Sequence, residues 1–295
     1  MKKKPNFADE SMKRFRNRIH GIYSQASEEL TEKVDSFFAS FEAKDKKMRK
    51  LLDEGKITKH KYIAWRENQM MTGKRWKDLR DTMVEKMNHA DEIAVSYMNG
   101  ELPSIYAHNY NETGMDIKSK VKGISFDIVN ERAVRNLSTK DKTLLPYKIV
   151  DGKRNERWNT KRVNAAMLQG ILQGESIPKI AKRLMGVTTM NEASATRNAR
   201  TAFTGAQNKG RLDAMDEMAE KGVIIEKEWL AITGDSRTRD AHRELHKARA
   251  PLDEPFVNSI GEIMYPGDPY ADPANVYNCR CSMRQVVLGI RRRGE

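Results

Sequence analysis

Seven residues toward the C-terminal end of the chain carry side chains that could do chemistry together: Asp235, Arg237, Arg239, His242 and His246, then Cys279 and Cys281. His242 and His246 are four apart, so on a helix they share one face. Two imidazoles and two thiolates complete the tetrahedral shell that zinc takes. The C-x-C spacing is tighter than that of ordinary zinc sites, so a metal-free reading stands beside it. There Asp235 caps a short helix and pairs with Arg237 or Arg239, His242 hydrogen-bonds to the strand carrying Cys279, and the cysteines are small core residues. A vicinal redox pair is a third use for two such thiols. The cluster also resembles a nuclease or hydrolase site, in which a Cys–His nucleophile pair needs both groups within hydrogen-bond reach. No acidic metal cluster accompanies the histidines, and neither GKRNER nor GDSRTR has the pattern of a phosphate loop. The motif favours a structural role over catalysis, and no catalytic residue is assigned.

A second constellation is basic. Lys2, Lys3, Lys4, Lys13, Arg14, Arg16 and Arg18 crowd the N-terminus, and Arg291, Arg292 and Arg293 close the chain. Such runs are either solvated tails or phosphate-binding ends, which need positive charge and no base readout. Lys and Arg number 54 against 41 Asp and Glu, a net charge of +13 that favours polyanionic partners such as double-stranded DNA. Aromatics are 7% of residues and fall mostly in helical stripes, which argues against a base-stacking platform. Two cysteines cannot build a disulfide framework and suit a reducing compartment. No segment has the roughly 18 consecutive apolar residues of a membrane-spanning helix. MKKKPNFADESMKRFRNR has no apolar stretch after its charged start, so it does not read as a secretory signal.

Helices must position these groups. Leu30, Val34, Phe37, Phe38 and Phe41 recur at helical spacing, and Trp76, Leu79, Met83, Met87, Ala90, Ile93 and Tyr97 form a second stripe. Asn99-Gly100, with Pro103 beyond, predicts the end of that second helix. Residues 1–100 read as a helical docking region and 101–157 as a mixed linker. Asn159-Thr160 predicts an N-cap for a helix running to Gly174. Ser176 caps the next helix, which ends at Gly186, and Asn191 caps a third that reaches Gly222. On that third helix Ala195, Ala199, Ala202 and Ala206 form a narrow seam beside a polar face of Arg197, Arg200, Thr204, Asn208 and Arg211. VIIEKEWLAI reads as a strand, AHRELHK as a short helix and CSMRQVVLGI as a final strand. The fold class is α+β: helical N-terminal and middle regions, then a small antiparallel sheet in a C-terminal domain over 158–295.

TRNARTAFTGAQNKGRLDAM, EWLAITGDSRTRDAHRELH, DEPFVNSIGEIMYPGDP and the terminal NCRC, in that order and spacing, resemble the Mu F-like minor head proteins of the phage head-morphogenesis family. The resemblance covers roughly residues 160–288 and marks Asp235, Arg237, Arg239, His242, Asn278, Cys279 and Cys281 as its structural motif. The family usually has glycine soon after the histidine segment, where this chain reads His246-Lys247-Ala248. The resemblance implies a minor component of the virion head, few per particle, associated with the portal vertex and the procapsid interior, and acting in head assembly and at the DNA end. The implied partners are the portal protein, the scaffold or major capsid protein, and double-stranded DNA without sequence preference, with no membrane partner; assembly takes place in the host cytoplasm. A metal-dependent nuclease or other DNA-processing enzyme is the alternative, and a host nucleic-acid-binding protein a third.

Overall fold

The computed structural model describes residues 7–291; Lys2, Lys3, Lys4, Arg292 and Arg293 lie outside the described residues. Among these, the helices α1 (Phe7–Asp53), α2 (Lys59–Met71), α3 (Lys74–Lys120), α4 (Glu131–Lys140), α5 (Gly152–Leu172) and α6 (Ile177–Glu220) come first. They are followed by β1 (Val223–Leu230), α7 (Asp240–Glu244), β2 (Arg249–Pro251), β3 (Phe256–Asn258), β4 (Gly261–Ile263), α8 (Pro273–Val276) and β5 (Ser282–Ile290). The fold is α+β and mainly helical, with a small antiparallel sheet near the C-terminus, in agreement with the sequence pattern. In that sheet β1 is central, antiparallel to β2 on one side and β5 on the other. β3 and β4 form a separate hairpin. Among the described residues no helix is long and apolar enough to cross a membrane.

The chain forms two compact units, each discontinuous in sequence. One comprises residues 16–95 and 149–195; the other comprises the described residues up to Phe15, then Ser96–Lys148 and Thr196 onward. In the first unit the two apolar stripes meet. Leu30, Val34, Phe37, Phe38 and Phe41 of α1 share one core with Trp76, Leu79, Met83 and Met87 of α3, and α5 and α6 add Val163, Met167, Ile180 and Leu184. The three- and four-residue spacing puts each set on one helix face. The Phe37 ring touches those of Phe38, Phe41 and Trp76.

Three local expectations are overturned. α3 does not end at Asn99-Gly100 but continues through Pro103 to Lys120. Leu102, Ile105 and Tyr106 beyond that point are buried. Burial at ~1.5–3 kcal/mol for each such side chain together outweighs the ~3 kcal/mol cost of an interior proline. Asn99 turns its amide to the main chain of Lys148, accepting from its N–H at 3.0 Å and donating to its carbonyl at 2.8 Å. α5 begins at Gly152, where Asp151 accepts from the N–H of Arg154 at 3.0 Å, and not at Asn159. α6 runs unbroken past Gly186 and Asn191. The two asparagines that resembled caps are buried partners: Asn191 Nδ2 donates to Asn159 Oδ1 at 3.1 Å and to Asp91 Oδ2 at 2.9 Å. A short amide serves a cap and a buried polar network equally well, so its type alone does not tell them apart.

In the second unit α6 presents its small-residue seam, with Ala199, Ala202 and Ala206 buried. Two glycines permit close backbone approach. A Cβ on Gly210 would stand 2.5 Å from the Tyr106 carbonyl oxygen, and one on Gly205 would stand 2.8 Å from that of Gly267. Gly267 has φ +85, a left-handed conformation that glycine adopts without a Cβ penalty. The long excursion between β1 and β5 is thus pinned at its middle onto α6, where Asn208 Nδ2 also donates to the Pro266 carbonyl at 3.0 Å.

Candidate functional site

The site is built where the chain enters β5. From Cys279 to Met283 its buried backbone groups need partners beyond the sheet. α6 supplies them from one face. Thr204 Oγ1 donates to the Cys279 carbonyl at 2.9 Å, Asn208 Oδ1 accepts from the Met283 N–H at 3.0 Å, and Arg211 Nη1 donates to the Met283 carbonyl at 2.8 Å. This is the polar face that flanks the alanine seam. Asn278 opens the segment at φ +59, a left-handed conformation that asparagine tolerates better than most residues. Its N–H donates to Thr201 Oγ1 at 2.9 Å and its Oδ1 accepts from Arg200 at 2.6 Å. Extended backbone then alternates its side chains. Cys279 and Cys281 point into the core, and Arg280 points away.

The two sulfurs meet His242 of α7. All three residues are buried, at 1% exposure for His242, 2% for Cys279 and 4% for Cys281. His242 Nδ1 lies 3.5 Å from each sulfur, and the three candidate ligand atoms fall within 4.8 Å of one another. Trp229 of β1 sets its ring edge-on to the imidazole at 5.3 Å between centroids. Backbone donors fix the tautomer. The N–H groups of Ile260 and Gly261 both donate to Asn258 Oδ1, which leaves Asn258 Nδ2 to donate to Asn275 Oδ1 at 3.1 Å. That oxygen is therefore an acceptor, and His242 Nε2, 2.8 Å away, carries the hydrogen. The Nδ1 lone pair is left facing the sulfurs. Hydrogen bonding from the Cys279 thiol, with His242 and the Trp229 indole adding to it, lowers the Cys281 pKa to about 5 against the opposing effect of burial. The same hydrogen bond and burial push Cys279 well up.

Around this core the other motif residues form a clasp. Arg280 grips Asp235 through two bonds of 2.8 and 2.7 Å, the bidentate geometry that makes such pairs strong. Arg237 adds bonds of 3.0 and 2.7 Å to the same carboxylate. Arg280 foremost, and then Arg237, hold the Asp235 carboxyl well below the usual carboxylate range. Asp235 does not cap α7, whose N-cap is Arg239 with no side-chain cap bond; it accepts from the Arg237 N–H inside its own loop at 3.0 Å. Arg239 donates to the Tyr277 carbonyl. His246 lies past the end of α7, so the shared helical face with His242 does not form. Its Nδ1 accepts from the Ala231 N–H at 3.2 Å and closes the turn after β1. Lys247 sits at φ +68, so the turn keeps the left-handed conformation where the family usually has glycine. Arg14, Arg16 and Arg18 are exposed on α1, and Arg291 is exposed at the end of β5.

Sequence reasoning missed Asn275, Asn258, Trp229 and Arg280. The alternation of an extended N-C-R-C segment is the one signal that pointed to Arg280, since a residue between two inward cysteines must face outward. The chemistry of the cluster is soft: one imidazole and two sulfurs, with no carboxylate among the ligand atoms.

Residues 161–284 match the family described as Phage Mu protein F like protein. The chain is 30% identical over 209 residues to "Minor head protein GP7" of Bacillus phage SPP1, covering 70% of this chain and 63% of that protein. It is 31% identical over 134 residues to "NAD(+)--arginine ADP-ribosyltransferase EFV" of Enterococcus faecalis (strain ATCC 700802 / V583), covering 44% of this chain and 26% of that one. No solved structure matches.

Proposed function

We propose that this chain, whose residues 161–284 match the family described as Phage Mu protein F like protein, is a minor component of a tailed-phage head and acts in head assembly. The observation that carries this reading is the 30% identity with the SPP1 minor head protein over 209 residues, well beyond the matched domain. The transferase named among the relatives shares a stretch that is 26% of its own length, so its activity is not carried across. The test is particle composition. The full-length tagged chain, supplied during infection, should sediment with purified procapsids and virions. Its absence from both particles overturns the proposal.

Two finer features belong to the same reading: association with the portal vertex, in the company of scaffold or major capsid protein, and contact with packaged DNA. Portal protein recovered with the tagged chain supports the first. The net charge of +13 and the basic ends support the second, as sequence-independent phosphate contact. If each end neutralises three phosphates, log K against log salt should fall with a slope of about -5 on duplex DNA. Filter binding across a salt series reads this slope, and no binding at low salt removes DNA from the partner list.

A further inference from the structure

We propose that His242 Nδ1, Cys279 Sγ and Cys281 Sγ bind one zinc ion, which ties α7 to the entry of β5. The proposal goes beyond the head-assembly reading and does not depend on it. The distances come first. With Zn–S near 2.3 Å and Zn–N near 2.0–2.1 Å, tetrahedral zinc separates a nitrogen and a sulfur ligand by about 3.5–3.6 Å. His242 Nδ1 lies 3.5 Å from both sulfurs.

The second argument is orientation. A ligating histidine ordinarily donates its other ring N–H to a fixed acceptor, which sets the tautomer and aims the free lone pair. Here the aim is set by a relay that begins at two backbone N–H groups and passes through Asn258 and Asn275 to Nε2.

The third argument is unmet polar demand. Without an ion, the two buried sulfurs share one Nδ1 lone pair and a single thiol hydrogen bond between themselves, and the Trp229 indole N–H approaches Cys281 without full hydrogen-bond geometry. A divalent ion would engage both sulfurs and the Nδ1 lone pair at once. Zn²⁺ takes the place of thiol protons on the two sulfurs, and the dication with two thiolates is neutral. A thiolate sulfur is also a better acceptor for the indole. The C-x-C spacing presents no obstacle, since extended backbone puts residues two apart on the same side. His246 is not part of the set, because its Nδ1 is already engaged by the Ala231 N–H. Among the described residues three protein ligands are at hand, and the fourth position of the tetrahedron goes to a non-protein ligand.

The test uses the reduced full-length chain with any affinity tag removed. After exchange into metal-free buffer, elemental analysis should find about one zinc per chain. Cobalt(II) added to metal-stripped protein should give thiolate-to-cobalt charge-transfer absorption that saturates at one equivalent. Cys279→Ser and Cys281→Ser should each lose that band. Asn275→Ala, which keeps all three ligands, should weaken zinc binding by about 10- to 100-fold and keeps the test decisive if a cysteine variant fails to fold. Folded wild-type protein that holds no zinc and gives no charge-transfer band overturns the proposal. Undiminished binding in both cysteine variants overturns it as well.

Discussion

Replacing Asp45 with leucine should remove about 3–5 kcal/mol of unfolding free energy, a large part of the ~5–15 kcal/mol of a typical domain. Asp45 of α1 and Arg66 of α2 form an ion pair at 3.0 Å, with side-chain exposures of 8% and 0%. Tyr62 donates to the same carboxylate at 2.8 Å, and the guanidinium lies over the Tyr62 ring at 5.3 Å from its centroid. Burial, and then the Asp45 hydrogen bond, push the Tyr62 phenol pKa up. No Arg66 nitrogen makes a hydrogen bond of full geometry, so the 3.0 Å approach is charge contact without good alignment. The carboxylate is thus the main compensation for a fully buried cation, and the loss comes from leaving Arg66 uncompensated more than from the pair's own strength. The double replacement Asp45→Leu with Arg66→Met should recover most of the loss, since well-packed apolar side chains often match or exceed a buried pair. Urea unfolding of the two single variants and the double variant measures this. A loss below about 1 kcal/mol for Asp45→Leu would mean that the pair behaves as a solvated one, and the burial argument would fail.

The helical stripes were legible because their periodicity records burial directly. Leu30, Val34, Phe37, Phe38 and Phe41, with Trp76, Leu79, Met83 and Met87, all lie in the core they suggested. The closing strands were legible from their β-branched and aromatic content. Helix ends were legible only in part: α5 stops before Gly174, and α6 starts after Ser176 and stops before Gly222, as their residue types suggested. Asn99, Gly100, Asn159, Gly186 and Asn191 have the residue types of caps and breaks, yet none ends its helix, because packing on both sides outweighs a local preference of about 1 kcal/mol. At the candidate site the sequence pointed to His242, Cys279 and Cys281, and the structure brings these three together. It paired His246 with His242 by assuming a helix longer than α7. The Asn258–Asn275 relay was invisible, since no spacing rule links a hairpin asparagine to a histidine on another element. The polar face of α6 was visible as a pattern, but its use needed the partner: Thr204, Asn208 and Arg211 satisfy a strand entry that lies about seventy residues later in the chain.

Trp229→Ala should cost about 3–5 kcal/mol and should loosen the sheet end of the chain before any other part. Trp229 is fully buried and sits at the centre of the small core with Leu245, Ala250, Phe256, Val276, Cys279 and Cys281. Its ring meets His242 and Phe256 edge-on, each at 5.3 Å between centroids. Its main chain is tied to the segment leading into β2, with the N–H donating to the Ala248 carbonyl at 2.9 Å and its own carbonyl accepting from the Lys247 N–H at 2.8 Å. The surroundings cannot collapse into the space an indole leaves. β5 is fixed by its register with β1, where Trp229 faces Met283, and the cysteine segment is fixed by α6. A cavity that does not relax carries the full cost of lost contacts. Trp229→Phe separates volume from polarity: it keeps a ring in place and removes the buried N–H that lacks an aligned acceptor, so it should cost under about 1.5 kcal/mol. Denaturant unfolding gives both values, and hydrogen exchange shows whether the backbone amides of β1 and β5 lose protection first. Equal losses in the two variants would assign the stability to the indole N–H, and a negligible loss in Trp229→Ala would mean that the small core is not what holds β1 to the excursion.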